Sequence, residues 1–238
     1  MKLNKNIEII NKGLFLIKQR ILVIADLHIG FEQVFSENGI FIPKTNYEKM
    51  KKELETIFDK VGKINKIIIL GDLKHKFGFI SKQEWKESLA ILEFMKKGCK
   101  EIILIKGNHD SALEYILKKE KITIKDYYIF KEFAFFHGHK IWSELYDKNI
   151  KIWIIGHKHP TIIIRKYAKQ EKYKCFLVGK FKDKQIIILP SFFPLLEGSD
   201  VTIEDTNLAF NPNLNNYEVY AIDDEGEIYY LKKLKDLK

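Results

Sequence analysis

The sequence predicts an α/β fold in which two mixed β-sheets pack together with helices outside, and three observations carry that prediction. Short apolar runs rich in Ile and Val recur through the first half, each followed closely by Gly, Asp or Asn, as in strands buried on both faces. Segments of helical period separate these runs. The second half turns to many short strands with little helix between them, which calls for a second sheet packed on the first.

In chain order, strands are expected over 14–17 and 21–25, the latter running into Asp26. A helix over 47–61 leads to a strand over 66–70 that ends at Gly71-Asp72. A helix over 82–97 leads to a strand over 101–105, followed by Gly107-Asn108 and a third helix over 112–119. Later strands are expected over 127–130, 133–137, 151–155, 161–165, 175–178, 185–189, 218–222 and 228–231. These fit one domain over 1–238, a core over 1–200 with strands of 201–238 completing a sheet.

Composition narrows the class. With 238 residues, 46% of them hydrophobic, the chain can bury a sizeable core, which excludes a disordered polymer; five Pro and 13 unpatterned Gly exclude collagen-like sequence. No apolar run can span a bilayer, and Met1-Lys2-Leu3-Asn4-Lys5-Asn6 lacks the apolar stretch of a signal peptide, so a cytoplasmic protein without a membrane partner is expected. Cys99 and Cys175 stand alone and read as small buried hydrophobes. The formal charge of +9 reflects 41 basic against 32 acidic residues, but only Arg20 and Arg165 are arginine. Such charge draws polyanions without sequence preference, whereas base-edge reading leans on arginine forks, so DNA or RNA is expected only as a non-specific partner.

The seven histidines are more specific than the charge. His28, His75, His109, His137, His139, His157 and His159 all lie at or just after the ends of expected strands. Ligands of open α/β sheets gather at the carboxyl ends of strands. Convergence of five such ends would bring Asp26, Asp72, Asn108, Asp110 and the imidazoles around one spot. Shuffling this composition yields Gly-His-x-His about 0.01 times and Gly-Asn-His-Asp about 0.001 times per chain, yet both occur, at 156–159 and 107–110. Asp26 and His28 point to one side if their segment stays extended, and so do His157 and His159.

The ordered set Asp26-x-His28, Gly71-Asp72, Gly107-Asn108-His109-Asp110, His137 and Gly156-His157-x-His159 resembles the calcineurin-like metallophosphoesterase superfamily over roughly the first two thirds of the chain. Asp26-Leu27-His28-Ile29-Gly30-Phe31-Glu32, Gly71-Asp72-Leu73-Lys74-His75, Gly156-His157-Lys158-His159-Pro160 and Leu189-Pro190-Ser191-Phe192 are similar to archaeal SbcD-related phosphoesterases and to small phosphodiesterases associated with DNA ligase and helicase operons. The resemblance implies an αββα sandwich and a dinuclear metal centre. Asp26, His28 and His159 would hold one metal, Asn108, His137 and His157 the other, with Asp72 bridging. It implies Mn²⁺ first, with Fe, Zn²⁺ or Ni²⁺ as alternatives, all compatible with imidazole and carboxylate donors. It also implies hydrolysis of a phosphodiester by a metal-bridging hydroxide, with His109 as general acid and Asp110 orienting it.

One departure refines the substrate. Phosphoprotein phosphatases of the superfamily carry a carboxylate three residues after the bridging Asp; here His75 stands there, as in SbcD-type nucleases, which favours a phosphodiester and makes His75 a catalytic candidate. The stretch after Pro160 completes a second sheet but leaves no room for the capping domain of those nucleases, so a DNA-repair helicase or ligase is an expected partner. His139 and Lys74 are candidates for contact with the substrate phosphate. His139 fits a hydrogen-bonding loop residue equally well, and Lys74 and Lys158 fit a solvated lysine surface better. Trp85 and Trp153 fit the core, whereas Trp142 in the loop after His139 fits base stacking. The loop 189–194 either lines the cleft or merely turns the chain. A phosphomonoesterase or nucleotide phosphatase would use the same site; a non-catalytic interaction scaffold would have lost ligands, and none is missing.

Overall fold

The computed structural model describes residues 1–33, 39, 45–78, 80–110, 113, 117–118, 120–166, 169–195, 198–203 and 207–238. The expected helix over 112–119 lies largely outside them. The first sheet holds β1 (Ile7–Ile10), β2 (Gly13–Leu16), β3 (Ile21–Ile24), β4 (Ile64–Ile69), β5 (Cys99–Ile105) and β6 (Thr123–Lys125), in that spatial order. The pairs from β1 to β3 are antiparallel and those from β3 to β6 parallel. Helices α1 (Asn46–Val61) and α2 (Lys82–Gly98) make the crossovers from β3 to β4 and from β4 to β5.

The helices follow from local chemistry. In α1 the apolar Met50, Leu54, Ile57 and Val61 recur at helical spacing and are buried, and Gly62, at φ +64°, closes the helix by donating its N–H to the Phe58 carbonyl at 2.8 Å. The start of α2 is a capping box: Ser81 Oγ accepts from the Glu84 N–H, and the Glu84 carboxylate accepts from the Ser81 N–H.

The second sheet is assembled from β7 (Tyr127–Phe130), β8 (Phe133–Phe136), β9 (Ile152–Ile155), β10 (Pro160–Lys166), β11 (Lys169–Phe181), β12 (Lys184–Ile188), β13 (Ser199–Asp200), β14 (Glu218–Ile222) and β15 (Ile228–Lys233). Its main order is β13-β10-β11-β12-β9-β8-β7, with β14 joining β11 and β15 joining β14. The strands β8, β9 and β12 run parallel. Strand β11 is far longer than the expected 175–178, because its first half is the polar Lys-Gln-Glu-Lys-Tyr-Lys arm of a hairpin with β10. No hydrophobic pattern announces such an arm.

Strand alternation divides the core. Val23, Ile68, Ile103, Ile154 and Ile187 face into the space between the sheets, whereas Leu22, Ile67 and Leu104 face α1 and α2. Trp153, Ile155, Ile186 and Ile188 fill a third cluster on the outer face of the second sheet. Trp153 is fully buried and donates its indole N–H to the Leu145 carbonyl at 3.0 Å. Trp85, by contrast, is exposed on α2, and the expectation of a core position fails there: it stands one residue after the buried Glu84, outside the apolar stripe of Ile91, Leu92 and Met95. Trp142 is half-buried against Tyr127 and packs on the outer cluster. Cys99 and Cys175 are unpaired, and burial pushes both thiols up. Among the described residues no helix is long and apolar enough to cross a membrane.

Candidate metal centre

The parallel strands β3, β4 and β5 end at Asp26, Asp72 and Asn108, and the parallel strands β8 and β9 end at His137 and His157. Hydrogen bonds lace these ends together: the N–H of Asp26 donates to Gly71 O, that of His28 to Asp72 O at 2.9 Å and that of Gly156 to His137 O at 3.0 Å. The side chains do not converge through extended segments as expected. Asp26, His28, Asp72, His157 and His159 all have positive φ, between 42° and 66°. Asp and His enter this left-handed region more readily than most residues, and its cost of about 1–3 kcal/mol per residue recurs at functional sites. Each ligand pair is thus turned inward by a tight left-handed step. Gly156 permits the approach, since a Cβ there would lie 2.6 Å from Asp26 Oδ2 and 3.0 Å from the Ala25 Cβ.

Two sets of donor atoms, each lying within 4.8 Å of one another, share Asp72: Asp26, His28, Asp72 and His159, and Asp72, His137 and His157; a third, His28, His75 and His109, contains no carboxylate. In the first, His159 Nε2 lies 3.3 Å from both Asp26 Oδ1 and His28 Nε2. In the second, His137 Nε2 lies 3.0 Å from His157 Nδ1, 3.1 Å from Asn108 Oδ1 and 3.4 Å from Asp72 Oδ2. The Nδ1–H of His137 donates to the Leu70 carbonyl at 2.7 Å, so its Nε2 presents a lone pair to this cluster. Asp26 Oδ1 is buried without a hydrogen-bond partner. Lone pairs facing lone pairs, beside an orphaned carboxylate oxygen, fit divalent cations seated between them.

The charges agree with that fit. Burial lowers the pKa of His28 well below the ordinary histidine value and that of His157 to about 4, leaving neutral imidazoles able to ligate. Burial opposes charge on His137 too, but the neighbouring Asp72 and Asp26 raise its pKa to about 9. Asp72 is the complement: burial opposes its ionisation, yet His137, His28 and His109 hold it well below the carboxylate range.

His109 stands beside this cluster. Its N–H donates to Asp72 Oδ1 at 3.0 Å, its Nδ1–H donates to the His75 carbonyl, and its Nε2 lies 3.8 Å from Asp72 Oδ2. The His75 imidazole contacts His28 instead, Nδ1 to Nδ1 at 3.2 Å, and burial lowers its pKa to about 4. His139 lies 5.1 Å from the His137 ring, with burial also lowering its pKa to about 4.

Two sequence expectations are corrected here. Asp110 does not orient His109: its carboxylate is fully buried and accepts from the backbone N–H groups of Asp72 at 2.7 Å, Leu73 at 3.0 Å and Gly107 at 2.9 Å. It clamps the loop after β4 to the loop after β5, and burial, followed by the Asp72 charge, pushes its pKa up to about 6. Asp110→Asn would set an amide NH₂ against these donors and is expected to cost about 1–3 kcal/mol. Thermal melting of the metal-free proteins should show a drop of roughly 2–4 °C per kcal/mol. An unchanged melting temperature with a displaced pH–rate profile would restore the orienting role.

Lys74 is neither substrate-facing nor surface-solvated, because it is fully buried with Nζ donating to the Lys76 carbonyl; Lys158 is likewise buried. The loop 189–194 holds the end of β3. Ser191 Oγ donates to Asp26 O at 2.8 Å and the Phe192 N–H to Ala25 O at 2.8 Å. Behind it, Lys12 donates to Phe192 O at 3.1 Å and Lys174 to the carbonyls of Ser191 and Phe193. Neither lysine stood out among so many in the sequence, since Lys12 sits in the turn between β1 and β2 and Lys174 in the middle of β11.

The profile of the calcineurin-like phosphoesterase family matches residues 19–221, and the chain belongs to that family. A solved structure of the Pseudomonas putida nuclease MPE superposes over 93% of this chain and 92% of that one, with a TM-score of 0.63 at 21% identity. A Vps29 double mutant from Entamoeba histolytica covers 89% and 99% at a TM-score of 0.39 and 15% identity. The protein of unknown function AQ665 from Aquifex aeolicus covers 58% and 78% at a TM-score of 0.40 and 23% identity. No curated protein sequence matches the chain. Family membership and the clustered Asp and His side chains together mark a divalent metal centre of a metal-dependent phosphoesterase.

Proposed function

We propose that the chain is a two-metal phosphodiesterase. Asp26, His28 and His159 would hold one ion, Asn108, His137 and His157 the second, and Asp72 both. Mn²⁺ is the proposed metal, and the observation that carries the reading is the pair of donor sets sharing the Asp72 carboxylate. When bound, such ions supply positive charge to the phosphate oxygens and a deprotonated water as nucleophile near neutral pH.

The chain's own residues supply the rest. The neutral Asn108, in place of a third carboxylate, limits repulsion of an incoming phosphate. As the new P–O bond forms, the bond to the departing oxygen breaks and that oxygen needs a proton. With Nδ1–H fixed on the His75 carbonyl, Nε2 of His109 is the nitrogen left to deliver it, and the carbonyl stabilises the imidazolium beforehand. Nucleic acid is the proposed natural diester, bound through backbone charge by this lysine-rich chain.

The test is hydrolysis of bis-p-nitrophenyl phosphate by the purified protein with Mn²⁺, beside the monoester p-nitrophenyl phosphate. Turnover of the diester at the higher kcat/KM supports the reading. Preference for the monoester would transfer it to the phosphomonoesterase alternative. We further propose that the protein acts together with a DNA-repair helicase or ligase; efficient cleavage of duplex DNA by the isolated protein would contradict that.

A further inference from the structure

Phe77 is 62% exposed. Single exposed hydrophobic rings are ordinary on protein surfaces, so exposure alone carries no weight. The position does. The Phe77 ring packs on that of His109, centroids 3.7 Å apart at 31°. It also ends a row of rings that runs from the core to solvent. Phe193, buried, lies 5.3 Å from Phe31; Phe31 lies 4.7 Å from His75; and His75 is stacked 5.4 Å from His109.

The loop that presents Phe77 is anchored at the two residues just before it. The His75 N–H donates to Ile29 O at 3.0 Å, and the Lys76 N–H donates to Glu84 Oε1 at 2.8 Å, so the capping box of α2 also fixes the residue before Phe77. An aromatic ring is therefore held beside the proton donor, with one side on His109 and most of the residue exposed. With His109 as the proton donor, that is the side on which the leaving group departs.

We propose that Phe77 is a platform on which the base of the leaving nucleoside stacks, so that the preferred substrates are phosphodiesters carrying a nucleobase on that half. This rests on the phosphodiesterase reading above. Stacking of one base on one aromatic ring is sequence-tolerant and changes affinity by about 5–150-fold. Preference among bases is therefore weak, and preference for a base over none is strong.

Dithymidine monophosphate and its two analogues lacking one or the other base serve as competitors of bis-p-nitrophenyl phosphate hydrolysis, for the native protein, Phe77→Ala and Phe77→Trp. Removal of the base from one half should raise the inhibition constant about 5–150-fold in the native protein. Phe77→Ala should erase that difference and Phe77→Trp keep it. Because inhibition constants report binding, a role of Phe77 in merely positioning His109 would lower turnover and leave them unmoved, which would overturn the platform. Equal inhibition by all three competitors would overturn it as well. Failure of the native protein to hydrolyse bis-p-nitrophenyl phosphate at all would instead overturn the phosphodiesterase reading, and this inference with it.

Discussion

Asp72→Ala is expected to abolish activity and release the metals. Asp72 is the one carboxylate common to both donor sets, with Oδ2 3.4 Å from His137 Nε2 and 3.8 Å from His28 Nε2. Its other oxygen accepts the His109 N–H at 3.0 Å, so the same substitution also frees the loop that carries the proton donor. Metal charge contributes several kcal/mol to transition-state stabilisation, and each ~1.4 kcal/mol is a factor of ten, so kcat should fall by about 10³ or more. Elemental analysis after desalting should find Mn²⁺ largely lost. A variant that keeps its metal and activity within tenfold of the native protein would remove Asp72 from the bridging role.

His109→Ala should produce an equally large loss by a different route. Its imidazole holds no place in either of the two donor sets that share Asp72, so metal content should stay native. The cost depends on the leaving group. A nucleoside alkoxide needs a proton as it departs, and general acid catalysis is worth about 10²–10⁴ in rate. On a dinucleotide kcat should fall by that factor. On bis-p-nitrophenyl phosphate, whose p-nitrophenolate departs without protonation, the loss should be far smaller. Comparison of the two substrates is the check; an equal loss on both, or loss of metal, would place His109 among the ligands instead.

Much of this centre could be read from the sequence, for a physical reason. A dry Ile/Val run that stops abruptly at Asp26, Gly71-Asp72 or Gly107-Asn108 marks a carboxyl strand end, and parallel pairing brings such ends to one rim. The outline of two sheets was legible from the same runs. What remained hidden depends on backbone geometry and burial rather than on residue type. The left-handed turns at Asp26, His28, His157 and His159 leave no trace in periodicity, so their side chains were expected to converge by strand alternation. Asp110 beside His109 suggested a charge pair, whereas the chain turns its carboxylate toward three backbone N–H groups. Lys74 looked like one solvated lysine among many, yet it is sealed in the interior. Phe77 carries no signal of its own in Lys76-Phe77-Gly78-Phe79-Ile80, and only the fold reveals that it lies on the proton donor.

The most direct test of the two-metal centre is anomalous diffraction from crystals soaked in Mn²⁺. Two peaks about 3.5–4 Å apart are expected, one among Asp26, His28 and His159 and one among Asn108, His137 and His157, with Asp72 between them. No peak at these residues, or a single peak held by His28, His75 and His109, would contradict it.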